Sequence, residues 1–291
     1  MKFDKSPLTF EKQLQKIQNK YDIEINNKEL ALHYLKHCNY YKLRGYWLYF
    51  EQKKQKATFE DVINLYEFDK KLRNLLLDYI EKIETSVKTN FAYHLSTKYE
   101  NPFVYLNSKL FIKKEYHQKA INKLQESFNS SKEIFVTHFK TKYKEKLPPI
   151  WAAVELMTLG EVSKWINNLN NKDRKKIAKV YSFKSPYILS SFLHHITDIR
   201  NISAHHSRLW NKTFPSKFEI PKEFLHLLEK DHYKISHTIT MMEYMLSSIV
   251  LNNVFFEMFV KLVKLHNIPL QYMGFSKELW KYLNYKYKDK Q

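Results

Sequence analysis

"TFEDVINLYEFDKKLRNLLLDYIEKIETSVKTNFAYHLSTKY", residues 58–99, is the stretch on which the fold turns. Leu65, Phe68, Leu72, Leu75, Leu76, Tyr79, Ile83, Val87 and Phe91 recur every three or four residues, the period of one helix face. Thr58, with Asp61 three residues on, reads as the cap that starts the helix. Unbroken, it would run about forty residues, well beyond the usual length. One break is therefore expected, near Tyr66 to Asp69.

The same period holds on both sides. Upstream, "SPLTFEKQLQKI" offers Ser6 as a cap and Pro7 as a first helical residue. "NKELALHYLKHCNYYKLRGYWLYF" is dense in aromatics, with Leu30, His33, Tyr34 and His37 at helical spacing. Residues 39–45 then read as a break or tight corner. Downstream, residues 109–146 carry ten lysines against four glutamates and few strong apolar stripes, which predicts an exposed basic helical insertion. "LPPIWAAVELMTLGEVSKWI" restores core character, with Thr158 and Glu161 as a capping box. Ser185 and Pro186 start a further helix, expected to reach about Trp210. "NKTFPSKFEIP" reads as a loop, 222–265 as helix again, and "WKYLNYKYKDKQ" as a basic aromatic tail.

Composition agrees. The chain has only three glycines in 291 residues, too few for many tight hairpins or glycine-rich phosphate loops. The expected class is all-α, with almost no strand. The division expected is an N-terminal helical lobe over 1–57, a core over 58–240 and a helical extension over 241–291. A lone cysteine, Cys38, rules out an internal disulfide and a cysteine-built zinc site. "MKFDKSPLTF" lacks an apolar signal-peptide segment and no long apolar run follows, so the expectation is a cytoplasmic protein without membrane contact. The formal net charge is +19. An AT-rich genome, with its Lys, Asn, Ile and Tyr, accounts for part of that. The rest fits a polyanionic partner, most simply RNA.

Chemistry concentrates in "IRNISAHHSRLW", residues 199–210. Stepping along a helix, His194, Asp198, Asn201, His205 and Arg208 share one face, while Phe192, Ile196, Ile199 and Ile202 form an apolar side. His206 falls nearer the apolar side and is expected to pack or to hydrogen-bond inward. Arg200 and His205 are five residues apart, so their side chains diverge by roughly 140°. One helix does not easily aim both at one small target; a second copy across a two-fold axis does so better, which predicts a homodimer. Imidazole exchanges protons near neutral pH and guanidinium binds phosphate oxygens. Asn201 stands where it could orient the imidazole, and Asp198 where it could hold His194 or Arg208. No serine or cysteine pairs clearly with a base, but RNA brings its own 2′-hydroxyl nucleophile. Three readings stay open on these residues alone: a structural polar helix, phosphate chemistry, and a metal site using His194, Asp198 and His205. Zinc spacings such as His-x3-His or HExxH do not occur there. His33 and His37 do have i, i+4 spacing, but no third ligand is visible, and they read as part of a half-buried aromatic helix.

"YYKLRGYW" at 40–47, "FDKKLRNLLLDYIEKIETSVKTNFAYHLS" at 68–96, "PPIWAAVELMTLGEVSKW" at 148–165 and "RNISAHHSRLWN" at 200–211 resemble, in that order, the motifs of the bacterial Abi family, the abortive-infection proteins of the AbiD/AbiF type. That family resembles in turn the HEPN superfamily of helical ribonucleases, marked by arginine, a polar residue, a few positions and histidine. The resemblance implies a HEPN-like helical bundle, a site at a dimer interface, and a metal-independent endoribonuclease with no cofactor. It implies Arg200, Asn201 and His205 as the catalytic set. His194, Asp198, Arg208, Glu84 and Lys88 would support the site or touch RNA; Glu81 falls on a further acidic position. The resemblance also leaves room for control by a small regulatory RNA. The alternative is a non-catalytic RNA-binding protein that uses the same motif for phosphate contacts.

Overall fold

The computed structural model describes residues 6–53, 56–229 and 233–287. Part of the expected N-terminal stretch (1–5) and of the basic tail (288–291) lies outside these residues. Helices dominate. In chain order they are α1 (Phe10–Tyr21), α2 (Lys28–His37), α3 (Tyr40–Lys53), α4 (Phe59–Tyr99), α5 (Lys114–Ser130), α6 (Ile134–Lys142), α7 (Ile150–Ala153), α8 (Leu159–Asn168), α9 (Asn171–Val180), α10 (Pro186–Ala204), α11 (Ile235–Leu246), α12 (Phe255–Leu265) and α13 (Lys277–Tyr287). The strands among the described residues are two short parallel segments, pairing Ile23 with Ala57 and Glu24 with Thr58. The all-α expectation holds.

The organising element is α4, and it is unbroken over 41 residues. No proline or glycine interrupts it, and at 1.5 Å per residue it runs about 60 Å. Its start is the expected capping box: the Thr58 hydroxyl accepts from the Asp61 N–H, and the Asp61 carboxylate accepts from the Thr58 N–H. The break expected near Tyr66 to Asp69 is absent. Leu65, Phe68, Leu72 and Leu76 are all buried there, so the apolar stripe continues, and Asp69 is held one turn on by Arg73. Helices α3, α8, α9, α10 and α12 all pack on α4. One continuous cluster of buried apolar side chains extends from Leu14 to Leu283.

Several boundaries differ from expectation. α1 starts at Phe10 with Thr9 as its cap, not at Ser6 and Pro7, because the Thr9 hydroxyl accepts from the Lys12 N–H. The corner expected over 39–45 is confined to Cys38 and Asn39, and Gly45 lies inside α3. Residues 109–146 are less exposed than their lysines suggest: α5 and α6 bury Leu124, Phe128, Val136 and Phe139. The stretch 222–265 is not one helix; turns and a short 3-10 segment precede α11, and another turn separates it from α12. Gly160, in the first turn of α8, permits close passage of α10. A Cβ there would lie 3.0 Å from the Thr197 methyl carbon.

Candidate functional site

α10 starts at Ser185, whose hydroxyl accepts from the Tyr187 N–H, with Pro186 in the first turn. Leu189, Phe192, Leu193, Ile196 and Ile199 are wholly buried, the apolar side expected. The opposite side carries His194, Asn201 and Arg200 exposed and Asp198 half-buried.

The helix ends at Ala204, not near Trp210. His205 is its last-turn cap, still donating its N–H to the Asn201 carbonyl at 2.9 Å. His206 then takes a left-handed backbone, φ 55°. Its N–H donates to the Ser203 carbonyl and the Ser207 N–H to the Ile202 carbonyl. This paired arrangement closes a helix by satisfying its last carbonyls. Two expectations fall with it. Arg208 leaves the polar face of α10, since the helix no longer carries it. And His206 is exposed rather than packed against the apolar side.

Residues 208–210, just past the turn, are anchored from below. The Leu209 and Trp210 N–H groups donate to the Asp69 carboxylate at 2.8–3.2 Å. The same carboxylate accepts from Arg73 at 2.6 Å and from the Tyr46 hydroxyl at 2.7 Å. Asp69 is 0% and Arg73 3% exposed. Burial pushes the Asp69 carboxyl up, while Arg73 and the other donors pull against it. Arg208 donates to the Gly45 carbonyl at 2.8 Å, and its stem lies against the open side of that glycine. Three of the motif segments thus meet at one buried carboxylate: Gly45 and Tyr46 from α3, Asp69 and Arg73 from α4, and residues 208–210.

Arg200 and His205 remain on the surface above this anchor. Among the described residues Arg200 reaches only the Asn201 side-chain oxygen, at 3.5 Å. The Asn201 side chain is therefore on the arginine, and among the described residues no hydrogen bond orients the His205 imidazole. None joins Asp198 to His194 or Arg208 either. Glu84 and Lys88 pair with each other at 2.8 Å on α4. They stand fifteen or more residues beyond Asp69, about 22 Å along the helix, and among the described hydrogen bonds and ion pairs none joins them to the motif. Among the described residues no three of His, Cys, Asp and Glu gather as metal ligands. The His33 and His37 rings lie 4.7 Å apart on the exposed side of the half-buried α2, which buries Ala31 and Leu35, while the Cys38 thiol points to the Tyr66 hydroxyl.

Sequence reasoning passed over two groups. Asp69 and Arg73 sit within the buried stripe, one residue after Phe68 and Leu72. A charged i, i+4 pair on an apolar face was the available signal. The other is His195, wholly buried beside the exposed His194. Its Nδ1–H donates to the Ser216 carbonyl at 2.7 Å, and the Thr238 hydroxyl donates to Nε2 at 2.9 Å. A carbonyl can only accept, so this pairing fixes the neutral tautomer. Burial pushes this imidazole down to about 4.

The fold and site define a class: a helical protein with an exposed Arg-Asn…His segment at the end of one helix, anchored to a long central helix by a buried carboxylate. The chain matches the model of the Abi-like protein family over residues 33–211, more than half of its length, and belongs to that family. The matched region ends at Asn211, where the anchored turn ends. No curated protein and no solved structure matches the chain. No described helix is long and apolar enough to cross a membrane.

Proposed function

We propose that this Abi-like protein is an endoribonuclease of an abortive-infection system, of the HEPN type and the AbiD/AbiF kind. One observation carries the reading: Arg200 and His205 are exposed in and at the end of the last turns of α10, while Leu209 and Trp210 just beyond are bolted to Asp69. Binding groups left free on a rigid mount suit a ligand from outside the chain.

The reaction uses the RNA's own 2′-hydroxyl. A His205 imidazole takes the 2′-hydroxyl proton, the 2′-oxygen bonds to phosphorus, and the bond from phosphorus to the 5′-oxygen breaks. A protonated imidazole returns a proton to that oxygen. The products are a 2′,3′-cyclic phosphate and a 5′-hydroxyl. Arg200 stabilises the phosphoryl oxygens as their charge grows. The roughly 140° divergence between the two residues is met by a homodimer, in which Arg200 of one protomer works beside the His205 of its partner. Asn201 holds Arg200 rather than the imidazole. His194 and Asp198 supply the polar flank and Arg208 supports the turn. Glu84 and Lys88 would serve as RNA contacts away from the cleavage point. Lysines of α5 and α6 add electrostatic attraction for the RNA backbone.

The unoriented imidazole favours one second reading, in which the same residues bind RNA phosphates without cleaving. Incubation of the purified protein with total RNA in excess EDTA, wild type beside Arg200→Ala and His205→Ala, separates the two. Cleavage lost in both variants supports the nuclease. Binding with no cleavage by any of the three supports the binder.

A further inference from the structure

A cavity of about 510 Å³ lies between α5 and α8, apart from the Arg200–His205 segment. That volume is within the range of about 300–1,000 Å³ typical of small-molecule pockets. Its inner wall is aromatic. The Phe111 and His117 rings stack 4.3 Å apart, and Trp165 meets both edge-on. The lip is apolar but open to solvent: Ile112 is 60% and Tyr116 51% exposed. Large apolar side chains gathered at the mouth of a cavity mark a surface that binds something.

The rim is basic. Lys113, Lys119, Lys123 and Lys164 line it, against a single carboxylate, Glu161. Glu161 is already committed: it caps α8 through the Thr158 N–H and pairs with Lys123 at 3.0 Å. Lys113, Lys119 and Lys164 have no carboxylate partner among the described residues, and the Lys113 ammonium stands 4.8 Å over the Tyr116 ring. The mouth is also rigid. The Lys113 N–H donates to the Asn168 side-chain oxygen at 2.8 Å, and the Asn168 amide donates back to the Lys113 carbonyl at 2.9 Å.

We infer that this cavity binds an aromatic anion: a flat ring system laid on the exposed Tyr116 and Ile112 side chains, over the buried Phe111–Trp165 floor, with a phosphate on Lys119 and Lys164. Free nucleotides and unstacked bases of single-stranded RNA share this chemistry. Ring stacking is sequence-tolerant, because every base has a π-face, and unpaired ammonium groups favour phosphate. The site needs neither Arg200 nor His205, so it stands or falls apart from the nuclease reading.

Calorimetric titration of the full chain with AMP tests it, beside adenosine and decanoate. Saturable AMP binding is expected, with adenosine and decanoate each at least about tenfold weaker. Lys119→Glu with Lys164→Glu, two exposed positions, should weaken AMP at least about tenfold with an unchanged helical spectrum, while Arg200→Ala leaves it as it was. Displacement of AMP by a single-stranded oligoribonucleotide assigns the site to RNA; AMP binding without displacement assigns it to a free nucleotide. The inference is overturned by absence of AMP binding, by adenosine or decanoate binding as tightly as AMP, or by undiminished binding in the double variant.

Discussion

His195 and His206 stand on the same short stretch and do opposite things. His195 is buried neutral, pushed down to about 4 by burial. Its folded value lies below its unfolded one, so the unfolded chain takes up the proton first as pH falls. Stability from this residue is complete above about 6.5 and is lost on the way down to about 4, on the order of 3 kcal/mol. Glu243 works the other way. Burial raises it to about 7, so its contribution is lost as pH rises from about 4.5 to 7. The His195 effect must therefore be read as a difference. Denaturation of wild type and His195→Asn should show a gap that narrows by roughly that amount between pH 6.5 and 4; a constant gap contradicts the assignment. His206 is exposed, with φ 55°. His206→Gly should keep stability or raise it by up to about 1 kcal/mol, and His206→Val should lower it by about 1–2 kcal/mol. A large loss in the glycine variant, seen as a drop in melting temperature, would restore the packing role expected from the sequence.

At the scale of elements, the anchor between α4 and the turn after α10 is the testable join. Asp69→Ala removes a buried carboxylate from Arg73, Tyr46 and two backbone N–H groups at once, and should cost about 3–5 kcal/mol. Adding Arg73→Met removes the stranded charge but leaves the Leu209 and Trp210 N–H groups without an acceptor. The double variant should recover only part of the loss; full recovery in urea denaturation would mean that Asp69 serves Arg73 alone. This join also marks where sequence reading stopped. The helix periods and the caps at Thr58, Thr158 and Ser185 were legible, because they are local. The polar face from His194 to His205, which carries the candidate residues, was legible too. The end of α10 was not, because His206 adopts a left-handed turn that usually favours glycine. Nor was the Asp69 anchor, whose backbone partners Leu209 and Trp210 are 140 and 141 residues away along the chain. α4 was expected to break for its length, when its continuous buried stripe holds it together.

At the scale of the whole molecule, a charge of +19 should make RNA binding fall steeply as salt rises, since each phosphate contact releases counterions. A flat dependence between low and physiological ionic strength would remove the electrostatic account. The two-protomer site has its own test. If Arg200 of one chain serves His205 of the other, mixing inactive Arg200→Ala with inactive His205→Ala should restore about a quarter of wild-type cleavage, from mixed dimers with one intact site. No recovery on mixing, with subunit exchange verified, contradicts a shared site. Cleavage itself is read from the chemistry of the new RNA ends. Total RNA is incubated with wild type and with His205→Ala in excess EDTA, and the new ends are identified. Wild type should leave 2′,3′-cyclic phosphate or 3′-phosphate ends, reduced on the order of a hundredfold or more in the variant. New ends carrying 3′-hydroxyl, cleavage abolished by EDTA, or equal cleavage by His205→Ala would contradict this mechanism.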